Sequence, residues 1–252
     1  MNLRERIRAR ELLAATWVKT PHPHVVEVLA LSPLDFLVLD AEHAPFDRGD
    51  LDACILAARA GAKSVLVRPA SAAHEQLLNA LDLGADGVIV PHVRSAAEAA
   101  AIVHACHYRP GGRGFAGSTR AAGYTTLGMA RHRAAAEGVI VIAQIEDAEA
   151  LGEIDAIAAT PGLDALFIGR ADLTVSLGAE TPDVPEVIAA VEAICAAGQR
   201  AGIAAGMFLG RVGDVALWRE RGASLFILQS DHDFILQGAG ALAGAIKGAR
   251  GG

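Results

Sequence analysis

Two acids in this chain stand where a metal could be held. The apolar run Val139–Ile145 closes with Gln144-Ile145-Glu146, and the run Ala165–Ile168 is followed by Gly169-Arg170-Ala171-Asp172. Two hard oxygen donors, without a neighbouring cysteine or HxxxH spacing, suit Mg²⁺ or Mn²⁺, with Co²⁺ or Zn²⁺ as further options. The remaining coordination positions would be left to water and substrate. Side chains alternate along a strand, so Gln144 shares a face with Glu146 and can hydrogen-bond a ligand there. Either acid can instead begin or cap the helix that follows it.

Two basic groups could complete such a site. Arg68 ends the run Ser64-Val65-Leu66-Val67. A guanidinium after so apolar a segment needs a partner, either in an ion pair with Asp40 or Asp82 or as a ligand for a carboxylate or enolate oxygen. His43 follows Leu39-Asp40-Ala41-Glu42 and is the natural general base, because imidazole titrates near neutrality. The remaining histidines, His92 among them, read as structural.

Such residues converge only if the runs they end lie side by side. Eight runs have strand length: Leu13–Val18, Asp35–Leu39, Ser64–Arg68, Gly87–Val90, Val139–Ile145, Ala165–Ile168, Ile203–Leu209 and Ser224–Leu228. Most are apolar throughout, as strands buried on both faces must be. Helical stretches separate them. Leu51–Ala60 and His74–Leu83 are two, Ser95 and Glu98 form a capping box for a third, and Leu127–Ala136 is helical within the glycine-rich stretch Tyr108–Gly138. Asp183 caps a helix carrying Val187, Ile188, Val191 and Ile194 that stops near Gly202. Alternating strands and helices over 252 residues predict one parallel (β/α)8 TIM barrel as a single domain, with chemistry at the C-terminal strand ends. An open nucleotide-binding sheet would need GxGxxG after the first strand, and Lys19–His24 has no glycine.

Composition narrows the function. Hydrophobic residues make up 52% of the chain and aromatics only 4%, so small aliphatic side chains fill the core. A formal net charge of −7 with no long basic stripe argues against a nucleic-acid partner. The basic opening Arg4–Arg10 reads as a solvated helix face. Cys54, Cys106 and Cys195 are scattered, as small hydrophobes in a reducing cytoplasm would be. With no membrane-length apolar run and no signal-peptide pattern, a soluble cytoplasmic protein is expected.

Several segments resemble the HpcH/HpaI aldolases, class II metal-dependent pyruvate aldolases of the phosphoenolpyruvate/pyruvate barrel superfamily. They are Asp35–His43, Leu83–Pro91, Tyr108–Gly114, Gln144–Glu146 and Leu166–Leu173. The resemblance implies that Glu146 and Asp172 bind a divalent metal, which a 2-oxo acid chelates. It implies that backbone N–H groups of Ala171 and Asp172 hold the substrate carboxylate and that Arg68 lies beside the enolate oxygen. His43 would be the acid/base, supported by Asp40 or Asp82, and Leu209 would lie near the aldehyde. It further implies a homohexamer whose C-terminal helix, Phe234–Lys247, packs on a neighbouring subunit. The expected reaction is reversible cleavage of a 4-hydroxy-2-oxo acid to pyruvate, or a related 2-oxo acid, and an aldehyde.

Two positions depart from the family pattern: Arg170 stands where proline is frequent, and Gln229 where glycine is common. Both bear on substrate choice. Arg120 either holds a distal substrate carboxylate, in its own or a neighbouring subunit, or is a surface arginine. No covalent lysine is required, and only Lys19 is placed where it could form a Schiff base. Oxaloacetate decarboxylation and CoA-ester lysis are alternatives within the superfamily. A metal-dependent hydrolase would want more histidine ligands, and a non-catalytic binding barrel leaves the strand-end polar residues unexplained.

Overall fold

The computed structural model describes residues 1–250, with side chains to Lys247. Eight parallel strands close into a barrel in chain order. They are β1 (Leu13–Val18), β2 (Phe36–Asp40), β3 (Ser64–Arg68), β4 (Gly87–Val90), β5 (Ile140–Ile145), β6 (Ala165–Ile168), β7 (Ala204–Leu209) and β8 (Leu225–Ser230). All eight expected strands are present, with ends displaced by a residue or two. The extension of β2 through Asp40 matters for the site, because Asp40 then lies in register opposite Arg68.

The helices are α1 (Leu3–Arg8), α2 (Pro23–Ala30), α3 (Arg48–Ala60), α4 (His74–Asp82), α5 (Ala96–Cys106), α6 (Gly128–Ala136), α7 (Ile154–Ala158), α8 (Arg170–Ser176), α9 (Pro185–Ala201), α10 (Val215–Glu220) and α11 (Asp231–Arg250). Helix α3 starts ahead of the expected Leu51 because Asp47 and Asp50 form a reciprocal capping box. Ser95 caps α5 by accepting from the Glu98 N–H, but the Glu98 carboxylate accepts from Arg94 N–H, outside the expected box. Helix α9 opens on Pro185 with Val184 at the cap, since proline at the first position leaves one fewer N–H to satisfy. Asp183 is thus free to face Arg170, 3.5 Å away. Gly202 ends α9 in the left-handed conformation, φ 74°.

Alternate strand residues divide the core in two. Phe36, Val38, Leu66, Ile142, Phe167 and Ile227 fill the barrel interior, while Leu37, Val65, Val88, Val141 and Leu166 pack outward with the helices. The opening helix is not the solvated element expected. Leu3 and Ile7 join the interior cluster, and one turn apart Arg4 and Arg8 both bond Asp164 Oδ1, at 2.9 and 2.6 Å. Asp164 is fully buried and also accepts from Val141 N–H. Helix α1 therefore closes the N-terminal end of the barrel and directs the open end to the strand C-termini. Among the described residues, no helix is long and apolar enough to cross a membrane.

Candidate active site

The open end of the barrel holds a cavity of about 450 Å³, whose lining includes Trp17, Lys19, His43, Arg68, Gln144, Phe167, Arg170, Ala171, Asp172 and Phe208. Its floor is aromatic. Trp17 and Phe167 meet edge to face at 5.8 Å, and the Arg68 guanidinium lies over the Trp17 ring at 4.1 Å, a favourable cation–π arrangement.

Arg68 is both ion-paired and exposed to the cavity. Its Nε and Nη2 donate to Asp40 Oδ1 at 2.9 and 2.8 Å, and Nη1 lies 3.2 Å from Glu42 Oε2. Asp40 is the partner that the strand register dictates. Its Oδ1 also accepts from the backbone N–H of His43 at 3.2 Å. Asp40 thus holds His43 by its main chain, and the acid nearest the half-exposed imidazole is Glu42, 3.6 Å from Nε2.

Gln144 and Glu146 share a face, as strand alternation predicted. The Gln144 amide donates to Glu146 Oε2, and Glu146 Oε1 accepts from His92 N–H at 2.9 Å. Both side chains are almost fully buried. Gly169, which opens the turn into α8, makes room for this carboxylate: a Cβ there would fall 2.5 Å from Glu146 Oε2. Asp172 and Ala171 stand exposed in the first turn of α8 and line the cavity.

One cluster of possible metal donors here contains a residue that sequence reasoning had set aside. Glu42, His92 and Glu146 each present a ligand atom, all within 4.8 Å of one another, in a set that does not include Asp172. Burial raises the Glu42 pKa; nearby Arg68 works against this, while the charge of Glu146 adds to it. For His92, burial opposes the charged ring but is outweighed by the Asp147 hydrogen bond and the charges of Glu146, Asp147 and Glu42, so its pKa is raised. Buried Asp40 Oδ2, Glu42 Oε2 and Gln144 Oε1 have no hydrogen-bond partner. Two of these oxygens face cations, Asp40 Oδ2 the Lys19 ammonium at 3.4 Å and Glu42 Oε2 Arg68 at 3.2 Å, while a carboxylate-rich pocket whose Gln144 oxygen is left without a partner fits a divalent cation.

Three expected site residues lie elsewhere within the chain. Asp82 ends α4, and a helix returning antiparallel to the strands finishes at their N-terminal end. There Asp82 bonds Arg113 at 2.6 Å. Arg120 is engaged by Asp52 Oδ1 at 2.8 Å and by the Leu83 carbonyl. Leu209 is buried in the layer between sheet and helices, and its neighbour Phe208 lines the cavity instead. Inward alternation through Ala204 and Gly206 would have indicated Phe208. His92 was equally accessible, because it follows the end of β4 as Glu42 follows β2.

A closed parallel barrel with an acid, arginine and imidazole pocket at its strand C-termini is the arrangement of a (β/α)8 enzyme. The chain belongs to the HpcH/HpaI aldolase/citrate lyase family, whose model matches residues 13–236. It is 37% identical over 246 residues to the hydroxypyruvate/pyruvate aldolase of Paraburkholderia phytofirmans, covering 93% of each chain. It is 38% identical over 193 residues to the 4-hydroxy-2-oxovalerate aldolase of Rhodococcus jostii, covering 74% of each. The crystal structure of a family member from Burkholderia cenocepacia superimposes with a TM-score of 0.91 at 33% identity, covering 98% of both chains. The family resemblance and barrel read from the sequence are thus borne out.

Proposed function

We propose that this protein is a class II pyruvate aldolase, a carbon–carbon lyase that reversibly cleaves 4-hydroxy-2-oxo acids to pyruvate, or a related 2-oxo acid, and an aldehyde. The observation that carries the reading is the convergence of His43, Arg68, Gln144 and Asp172 on one cavity, with Glu146 held by the Gln144 amide. The aldolase names of the relatives support it.

Glu146 and Asp172 would hold the divalent cation, with Glu42 close by. When bound, the cation supplies Lewis-acid stabilisation of charge on the substrate keto oxygen. Arg68, oriented by Asp40 and stacked on Trp17, adds a fixed positive charge beside that oxygen, stabilising an enolate more than the ketone. The first-turn N–H groups of α8, at Ala171 and Asp172, lack intrahelical acceptors and can take the substrate carboxylate. His43 accepts the C4 hydroxyl proton. The electron pair of the breaking C3–C4 bond passes into the enolate, aldehyde leaves, and protonation at C3 gives pyruvate. Phe208 takes the acceptor-side position expected of Leu209.

A homohexamer completed by α11 is part of the proposal. Its support is the exposure of Ile235, Leu236, Leu242 and Ile246 along that helix, an apolar face that a neighbouring subunit would cover. Asp82 and Arg120 would then act only across a subunit boundary. A reducing cytoplasm is the compartment this reading favours, since Cys54, Cys106 and Cys195 are buried and unpaired.

Pyruvate release from a panel of 4-hydroxy-2-oxo acids, followed before and after EDTA, tests the reading. Cleavage should stop on chelation and return with added metal. Full activity after exhaustive chelation would refute a class II mechanism.

A further inference from the structure

Lys19 directly follows β1 and lines the cavity, yet the cleavage chemistry above gives it no part. Side chains alternate along a strand, so Lys19 shares the inward face of Trp17. The main chain that carries it is fastened from β8. Buried Asp231 accepts from the N–H groups of Lys19 and Thr20, at 2.8 and 3.0 Å. The strand pairing here is irregular: Ala15 lies opposite Ile227 but Trp17 opposite Ser230, so β8 carries one extra residue. Bulges of this kind re-aim side chains beside functional sites. This one goes with Ser230 lining the cavity and Asp231 reaching the turn after β1.

The Lys19 ammonium is held loosely. Its ion-pair partner, Asp40 Oδ2, is 3.4 Å away and takes part in no hydrogen bond. Asp40 Oδ1 is meanwhile occupied by Arg68 and by the His43 N–H. One carboxylate therefore faces two cations, and the lysine receives the weaker share. An ammonium has three N–H donors and no acceptor, so Lys19 keeps donors for a ligand. It is also the most open of the lysine and arginine side chains in the cavity lining, 31% exposed against 12% for Arg170 and 7% for Arg68.

Position indicates what that ligand is. The strands close in chain order, which puts β1 across the barrel from β5, the strand that leads to Glu146. A 2-oxo acid anchored at Glu146 and Asp172 therefore extends its far end toward β1. The floor along this path is apolar, with Phe167 on β6 and Trp17 on β1 in edge-to-face contact at 5.8 Å. Uncharged carbons would cross the rings, and a terminal anion would meet the ammonium. We propose that Lys19 is a specificity residue that binds a carboxylate or phosphate at the far end of the aldehyde. The preferred substrates are then 4-hydroxy-2-oxo acids carrying a second anionic group. A lysine ammonium is a compact point charge that pairs with either anion. The inference rests on the aldolase reading above, and its test separates the two.

Binding is measured by calorimetry on the Mn²⁺-loaded chain. The ligands are 2-oxoadipate and 2-oxopimelate, against 2-oxohexanoate and 2-oxoheptanoate, in which a methyl group replaces the far carboxylate. None carries a C4 hydroxyl, so none is cleaved. A phosphate arm compares glyceraldehyde 3-phosphate with glyceraldehyde in aldol synthesis from pyruvate. The wild type should favour the anionic member of at least one arm by about tenfold or more, the range of one hydrogen bond to a charged group. The arm that shows the preference names the anion. Lys19→Met should erase it, and Lys19→Arg should keep most of it, which a Schiff-base lysine would not allow. No preference in either arm, or one that survives Lys19→Met, overturns the proposal. So does equal weakening of all ligands with slowed pyruvate proton exchange, since Lys19 would then act only through Asp40 and Arg68. A preference in the calorimetry without cleavage of any 4-hydroxy-2-oxo acid supports Lys19 as an anion site and overturns the aldolase reading instead.

Discussion

Arg68 and Asp40, neighbours in register on adjacent strands, share one oxygen: Nε and Nη2 both donate to Asp40 Oδ1, at 2.9 and 2.8 Å. This fork fixes the guanidinium plane and leaves Nη1 to Glu42, 3.2 Å from its Oε2. The pair is buried, so removing one member strands the other's charge. Asp40→Ala is expected to cost about 3 kcal/mol or more in urea denaturation. Arg68→Lys should lose exchange of pyruvate methyl protons with solvent deuterium, because a single ammonium cannot bridge Asp40 and the cavity.

Gly169 serves the Glu146 carboxylate by its lack of a side chain. Gly169→Ala places a carbon 2.5 Å from Oε2, and the acid must move. Metal affinity should fall by about tenfold or more, as for other residues that position ligands. Calorimetry with Mn²⁺ checks this, and unchanged affinity would remove Glu146 from the metal set.

Phe208 and Leu209 should part company on mutation. Leu209→Ala empties a place in the sheet–helix layer and should cost about 2–5 kcal/mol of stability. Phe208→Ala should destabilise much less and change the ranking of aldehydes accepted with pyruvate. Unaltered ranking would detach Phe208 from the acceptor side.

His132 gives a pH dependence away from the site. Burial, with help from Arg113, lowers its pKa, and its Nε2 is 2.7 Å from the Tyr108 hydroxyl. A depressed folded pKa means the unfolded chain takes up the proton first. The contribution is therefore full above about 6.5, the ordinary histidine value, and is lost as pH falls toward the folded pKa. Denaturation midpoints of the wild type should drop over that interval, and His132→Gln should show a shallower slope.

Gln229 holds φ at 56°, which accounts physically for a preference for glycine at this position. Gln229→Gly should be stability-neutral or gain about 0.5–1 kcal/mol by thermal denaturation, since relief of strain offsets added chain entropy. A large loss would mean that the glutamine side chain makes a contact stronger than the strain.

The barrel and its donor side were legible because apolar runs end abruptly in polar residues, and in a closed barrel those ends must converge. Arg68, Gln144 and Glu146 were found that way. The place of His92 after β4 was legible, but its company was not, since Glu42 follows β2 and Glu146 follows β5 and no local pattern joins them. Leu209 faces the sheet–helix layer and Phe208 the cavity, because a step of one residue reverses the face a strand residue presents. The contacts of Asp82 and of the opening arginines were illegible for a different reason. Their partners, Arg113 and Asp164, are distant in sequence, and nothing local distinguishes a buried ion pair from a solvated charge. The capping of α9 turned on Pro185, which displaced Asp183 from the role its residue type suggested.

The cavity is assembled from two kinds of backbone. Arg68 and Gln144 sit on barrel strands, and Glu146 directly follows one, so this part of the 2-oxo-acid half is as stiff as the core. His43, Arg170 and Asp172 stand on loops or a short helix beyond the strands. Loop exchange or directed evolution that spares His43, Ala171 and Asp172 can therefore redraw the acceptor half while Arg68, Gln144 and Glu146 are inherited intact. Libraries confined to residues 44–46, 170, 208 and 210–212, which spare His43, Ala171 and the buried Leu209, should yield new aldehyde preferences at little cost in folding.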